Sequence, residues 1–232
     1  MNSLFNEKTL LVIAAHPDDE ILGCGGLISK VKYGGGKVFV IAMTVGDQQQ
    51  YGRQSIASSR MEEAKEVMKF MRVDGYEICL PGNKFHLRLD GVDKKTLIDI
   101  IEKTSRFSLQ YVKPDIVAIP HPHYNQDETS VFEAAFTALR ARPAHLKSQQ
   151  TLVISYEDLS HNWALTPFIP TLFVDIKDFI NLKCKALSMY SSQVGDPSHY
   201  ISEDSVRTLA KFRGKQVGVE AAEAFMVHRL LL

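Results

Sequence analysis

No stretch of this chain approaches the roughly 20 consecutive apolar residues that a helix needs to cross a bilayer. The first residues, Met1 to Lys8, hold no apolar signal core. Neither a membrane span nor a secreted protein is therefore expected. Net charge is also missing, because 27 Lys and Arg balance 27 Asp and Glu. No general field draws in nucleic acid or an anionic membrane. Cysteine is scarce: Cys24, Cys79 and Cys184 are odd in number and widely spaced. They form no disulfide framework and no metal-ligand spacing, which favours a reducing, cytoplasmic setting. Trp163 is the single tryptophan. There is no repeat and no low-complexity segment. What is present is 45% apolar residues over 232 positions, enough for a substantial core. One domain over 1–232, with no linker, is the expectation.

The chain is organised around Ala15-His16-Pro17-Asp18-Asp19-Glu20. This stretch follows Thr9-Leu10-Leu11-Val12-Ile13-Ala14, an apolar, partly β-branched run of the kind buried in parallel sheets. α/β folds put their sites just past the C-terminal ends of such strands. Carboxylates this close repel unless a cation or hydrogen-bond donors compensate them. A divalent metal is the simplest compensation. His16 and Asp19 can reach one ion from a tight turn, with Asp18 beside it. A turn that only caps the next helix would explain one Asp, but not a histidine and two carboxylates together.

The rest alternates. Helical spacing from Ile21 ends at Gly34-Gly35-Gly36. Gly23, Gly25 and Gly26 resemble a dinucleotide fingerprint, but Ile28 breaks the G-x-G-x-x-G spacing. Strands are expected at 37–43, 76–80, 116–120, 151–155 and 171–175, the last towards a sheet edge. Helices are expected at 58–71, 92–107, 129–140 and 178–190, with mixed helix and loop closing the chain to Phe225. This order predicts a mostly parallel sheet with helices on both faces. The strand at 116–120 runs into His121-Pro122-His123-Tyr124-Asn125-Gln126-Asp127-Glu128, a second polar cluster at a strand end. That position points to a pocket role for His121 or His123. His86, His145, His161, His199 and His228 lack such context and read as structural or surface. Arg60 either pairs with Glu63 or faces the crevice. Asp47 either caps a turn or binds a substrate hydroxyl, and Trp163 is a candidate to stack on a sugar ring.

At this point the chain resembles the PIG-L/LmbE-like zinc-dependent N-deacetylases. The resemblance rests on His16-Pro17-Asp18-Asp19-Glu20 with Leu22-Gly23-Cys24-Gly25-Gly26, on Arg60 and Glu63, and on His121-Pro122 and Asn125-Gln126-Asp127. It continues through Ser192-Gln193, Arg213-Gly214 and Gly218 to Phe225. It implies a Rossmann-like three-layer α/β sandwich with a mononuclear zinc site that removes an acetyl group from an amino sugar. His16 and Asp19 match two metal ligands, and Asp18 matches the general base. The family's third ligand is a histidine, and here Glu128 stands in its place. Asn125 occupies the position of a histidine that polarises the oxyanion in many members.

Three outcomes stay open at this level. Glu128 can ligate the metal, since carboxylate oxygen binds zinc at about 2.0–2.2 Å. Its added negative charge would acidify bound water less and shift preference from Zn²⁺ towards Mn²⁺, Mg²⁺ or Fe²⁺. Alternatively, His121 or His123 replaces the missing imidazole, or the site is weakened. The corresponding functions are a metal-dependent N-acetylglucosamine-type deacetylase, a non-catalytic carbohydrate-binding homologue with a decayed site, or another amidase or deformylase. The expected partner is a small amino sugar, read by loops 48–56, 81–91 and 156–170. A homo-oligomer is left open.

Overall fold

A computed structural model describes residues 4–50, 53–141, 143, 149–163 and 166–231. Its framework is a seven-stranded sheet in the order β5-β2-β1-β6-β7-β9-β8. The strands are β1 (Thr9–Ala14), β2 (Lys37–Val45), β5 (Gly75–Pro81), β6 (Ile116–Pro120), β7 (Leu152–Tyr156), β8 (Leu172–Asp175) and β9 (Ala222–Leu230). β5, β2, β1, β6 and β7 pair in parallel. β9 runs antiparallel to both β7 and β8.

Successive side chains of a strand point to opposite faces, and β1 shows the consequence. Leu10 and Val12 join one buried cluster with α1 (Asp19–Tyr33), α2 (Ala57–Phe70), α6 (Ile180–Ser188) and α7 (Glu203–Val217). Leu11 and Ile13 join the other, with α3 (Lys94–Asp99), α4 (Leu109–Val112) and α5 (Gln126–Ala138). The result is the expected Rossmann-like three-layer arrangement. β1 lies between β2 and β6, so chain direction through the sheet reverses there. A crevice opens at such a point beyond the carboxyl ends of the strands.

Several expectations need correction. The loop at 48–55 carries a short hairpin, β3 (Gln48–Gln50) with β4 (Arg53–Ser55). The helix expected at 92–107 stops at Asp99, continues as a wider turn over Ile100–Thr104, and ends at extended Ser105. α5 begins at Gln126, earlier than expected, so Asp127 and Glu128 sit in its first turn. The closing segment contains β9, inserted between β7 and β8, where the alanine-rich sequence suggested helix and loop.

α1 packs unusually close to its neighbours, which explains its glycines. A Cβ on Gly23 would lie 2.1 Å from Tyr156 Cδ2, and one on Gly25 would lie 2.8 Å from Lys183 Cγ. The Tyr156 ring lies across Gly23, and its hydroxyl donates to the Ile13 carbonyl at 3.0 Å. Helix α1 is thereby fixed against the end of β1. Gly23→Ala is expected to cost about 1–3 kcal/mol through overpacking. It should lower the urea midpoint at an unchanged m value, and an unchanged midpoint would show that Tyr156 can move aside.

Candidate active site

The two polar clusters meet at the carboxyl ends of β1 and β6. The first is set by a strained residue: Asp18, just before α1, has φ 106° and ψ −31°, a region that non-glycine residues seldom occupy. The Asp18 amide donates to Glu20 Oε2 at 3.1 Å, and Tyr190 donates its hydroxyl to Glu20 Oε1 at 2.6 Å. Glu20 therefore holds the turn from beneath. The His16 amide donates to Asp19 Oδ2 at 2.7 Å, and His16 Nδ1 lies 3.8 Å from the same oxygen.

The second cluster supplies Asp127, which is fully buried. His16 Nε2 donates to Asp127 Oδ2 at 2.9 Å, and the amides of Leu87 and Leu89 donate to its two oxygens at 2.7 and 2.8 Å. Burial pushes the Asp127 carboxyl up, but these donors outweigh it and its pKa is lowered. Leu87 adopts φ 57°, and its amide is one of those donors. With the proton of His16 on Nε2, Nδ1 keeps its lone pair for a cation. This is the carboxylate–histidine arrangement that orients metal ligands.

His16, Asp19 and Glu128 are all buried, and their ligand atoms lie within 4.8 Å of one another. One imidazole nitrogen and two carboxylate oxygens in this space suit a divalent ion. The electrostatics agree. Burial pushes both Asp18 and Asp19 well above the usual carboxylate range. Arg60 opposes the rise at Asp18 while Glu20, Glu128 and Asp158 add to it. At Asp19, Glu128 adds to the rise and His16 opposes it. A cation here would hold these groups ionised.

Around the trio is an open cleft of about 780 Å³, within the range of small-molecule sites, about 300–1,000 Å³. Arg60 is buried and reaches it, donating from Nη1 to the Gly46 carbonyl and to His86 Nε2, each at 3.1 Å. Glu63 is not its partner. That carboxylate accepts from the Ser192 amide at 2.9 Å and from the hydroxyls of Ser191 and Ser192. Asn125 lines the cleft and caps α5, its Oδ1 accepting from the Asp127 amide at 2.9 Å. Only its NH₂ can then donate to an oxyanion. His123 lines the cleft and pairs with Glu128.

Three expected site residues lie elsewhere. His121 turns away, its ring nitrogens facing Ser155 Oγ at 3.3 Å and the Thr166 carbonyl at 3.2 Å, with Phe168 packed edge-on. Asp47 accepts from the Ala57 amide and Asn83 Nδ2, both at 2.8 Å, so it caps α2. Trp163 is 79% exposed and does not line the cleft. His145 and the side chain of His161 lie outside the described residues. His228 bonds to Ser155 Oγ at 3.0 Å, a structural role as expected, and His199 Nδ1 accepts from the Ile201 amide at 3.1 Å.

Other cleft residues carry no signal in the sequence. His86, read there as structural, is buried and lies edge-on to His16 with ring centroids 5.0 Å apart. Burial pushes its pKa down to about 3, and His16 and Arg60 push the same way. It is therefore neutral and accepts from Arg60. Asp158, Ser160 and Tyr200 also line the cleft.

The profile of the PIG-L family (GlcNAc-PI de-N-acetylase) matches residues 11–139, the span holding both clusters. The chain belongs to the PIG-L family. Its sequence is 25% identical to a diacetylchitobiose deacetylase of Thermococcus kodakarensis, over 96% of this chain and 84% of that protein. The N,N'-diacetylchitobiose deacetylase of Pyrococcus horikoshii superposes with a TM-score of 0.69 at 23% identity, over 95% of this chain and 83% of that one. GalB, a 4-carboxy-2-hydroxymuconate hydratase of Pseudomonas putida, gives 0.71 at 17% identity, over 97% and 98%. These two likenesses are of fold.

Asp127→Asn is expected to weaken divalent-cation affinity by about 10–100-fold, the usual cost of losing a ligand's orienting partner. Competition against a chromogenic chelator measures this. Equal affinity in the variant would mean that His16 is oriented by other contacts.

Proposed function

We propose that this PIG-L family protein is a metal-dependent hydrolase that removes the N-acetyl group from an N-acetylglucosamine-type sugar or conjugate. The observation that carries the reading is Asp18, held at φ 106° beside the His16–Asp19–Glu128 trio in a cleft. His16, Asp19 and Glu128 would hold a divalent ion, Zn²⁺ or, given two carboxylates, Mn²⁺, Mg²⁺ or Fe²⁺. When bound, that ion supplies a Lewis acid for the amide carbonyl and lowers the pKa of water.

The chain's own residues do the rest. Asp18 takes the proton of the attacking water as its oxygen bonds to the carbonyl carbon. The same carboxyl then returns a proton to the nitrogen as the C–N bond breaks, giving acetate and the free amine. General acid–base transfer of this kind contributes about 10²–10⁴-fold. Asn125 Nδ2 donates towards the oxyanion, and His123 holds Glu128. Arg60, backed by neutral His86, opposes the rise in the Asp18 pKa and presents a donor fork for substrate oxygens. Gln48, His86, Leu87, Asp158 and Ser160 place one or two lining residues in each of the three loops expected to read the sugar.

The same fold supports a hydratase in GalB, and fold alone does not fix chemistry, so acetate itself must be measured. Asp18→Asn should cut acetate release from diacetylchitobiose or an N-acetylglucosamine conjugate by about 10²-fold or more while bound metal stays constant. Full activity in that variant would remove Asp18 as the base. Stoichiometric metal without acetate from any acetamido sugar would overturn the deacetylase reading.

A further inference from the structure

The cleft contains a second cation-shaped set that shares a member with the first. His123, Glu128 and Asp158 bring ligand atoms within 4.8 Å of one another, as His16, Asp19 and Glu128 do. Glu128 belongs to both. It stands in the first turn of α5, and its Oε2 accepts from His123 Nε2. The side chains of His123 and Glu128 are 2% and 7% exposed. Asp158 comes from the loop after β7, where its Oδ1 accepts from the Ser160 amide at 2.7 Å.

Chemistry separates a glutamate from the histidine that the family resemblance leads one to expect here. An imidazole nitrogen has one lone pair and serves one cation. A carboxylate has two oxygens and can bridge two cations, which in two-metal sites sit about 3.5–4 Å apart. The charge of the cleft allows this. Asp18, Asp19, Glu128 and Asp158 line it, and Arg60 is the sole lysine or arginine among its described lining residues. One divalent ion added to Arg60 leaves these four carboxylates one negative charge in excess, so the charge of the cleft does not oppose a second cation.

We infer that Glu128 bridges two divalent cations, one held with His16 and Asp19 and the second with His123 and Asp158. The exchange of imidazole for carboxylate is then the gain of a second site. The inference rests on the reading of His16, Asp19 and Glu128 as a cation site, and its test keeps the two apart. In a single-cation protein, His123 would instead be the orienting partner of Glu128.

Mn²⁺ titration of the full chain, followed by equilibrium dialysis and electron paramagnetic resonance, decides between them. Two Mn²⁺ per chain with an exchange-coupled signal are expected. Asp158→Asn and His123→Ala should each reduce this to one Mn²⁺ with an isolated six-line signal. Glu128→His should likewise bind one. Circular dichroism confirms that each variant is folded. One uncoupled Mn²⁺ in the parent protein at saturation overturns the bridged pair and keeps the first site. Two Mn²⁺ retained in both Asp158→Asn and His123→Ala overturns the assignment of the second site. No bound Mn²⁺ overturns both readings. If His123 merely orients Glu128, His123→Ala lowers affinity without changing stoichiometry, and that result also overturns the inference.

Discussion

The hydrogen bond from His16 Nε2 to Asp127 Oδ2, 2.9 Å, joins the halves of this site across the point where β1 and β6 part. A carboxylate as buried as Asp127 would cost several kcal/mol if left unpaired. Three donors from two separate segments satisfy it. One side chain thereby fixes the tautomer of His16, the position of α5 and the path of the loop at 87–89. Glu128 follows Asp127 in the same helical turn, so its placement beside Asp19 is a consequence of that bond. Moving α5 by even one residue of register would turn Asp127 away from His16 and Glu128 away from the cleft together.

The parts of the molecule that could be read from sequence are those in which local pattern and tertiary role agree. β1, β2 and β6 are apolar, β-branched runs because both of their faces are covered, and the ends of β1 and β6 carry the charged clusters. The gathering of His16, Asp18 and Asp19 past the end of β1 was legible because no turn needs such a set. β9 was not legible. Its Ala222-Glu223-Ala224 start has helical propensity, and only pairing with β7 and β8 makes it a strand. His86 was equally hidden, since a lone histidine between Phe85 and Leu87 acquires meaning only when folding brings it to 5.0 Å from His16. His121 misled for the opposite reason. It follows β6 directly, but its ring turns into the sheet-side contacts with Ser155 and Phe168.

β9 also supports the site from a distance. Glu223 accepts from the Gly26 and Leu27 amides at 2.7 Å, and Lys183 donates to Glu223 Oε1 and to the Leu22 carbonyl, each at 2.7 Å. Both side chains are buried, at 5% and 3% exposure. A buried ion pair is weak evidence for net stability, but removing one partner leaves an uncompensated charge at a cost of about 3–5 kcal/mol. Its value here is positional. It ties β9 and α6 to the middle of α1, whose first turn carries Asp19 and Glu20.

Two helices begin at the cleft with acidic first turns, α1 with Asp19 and Glu20 and α5 with Asp127 and Glu128. Helix N-termini favour such groups by about 0.3–1 kcal/mol each, from a partial charge of roughly half a unit per helix. The two ends together therefore supply on the order of one positive charge, and Arg60 supplies another. Against them stand Asp18, Asp19, Glu20, Asp127, Glu128 and Asp158. Asp127 is satisfied by its three donors, yet burial pushes Asp18 and Asp19 well up and, even with the Tyr190 hydroxyl bonded to it, pushes Glu20 up to about 7. Backbone dipoles and one guanidinium are thus too weak to keep this set ionised. A fold that gathers these carboxylates with a strained φ and two helix ends leaves them short of compensating positive charge among the described residues.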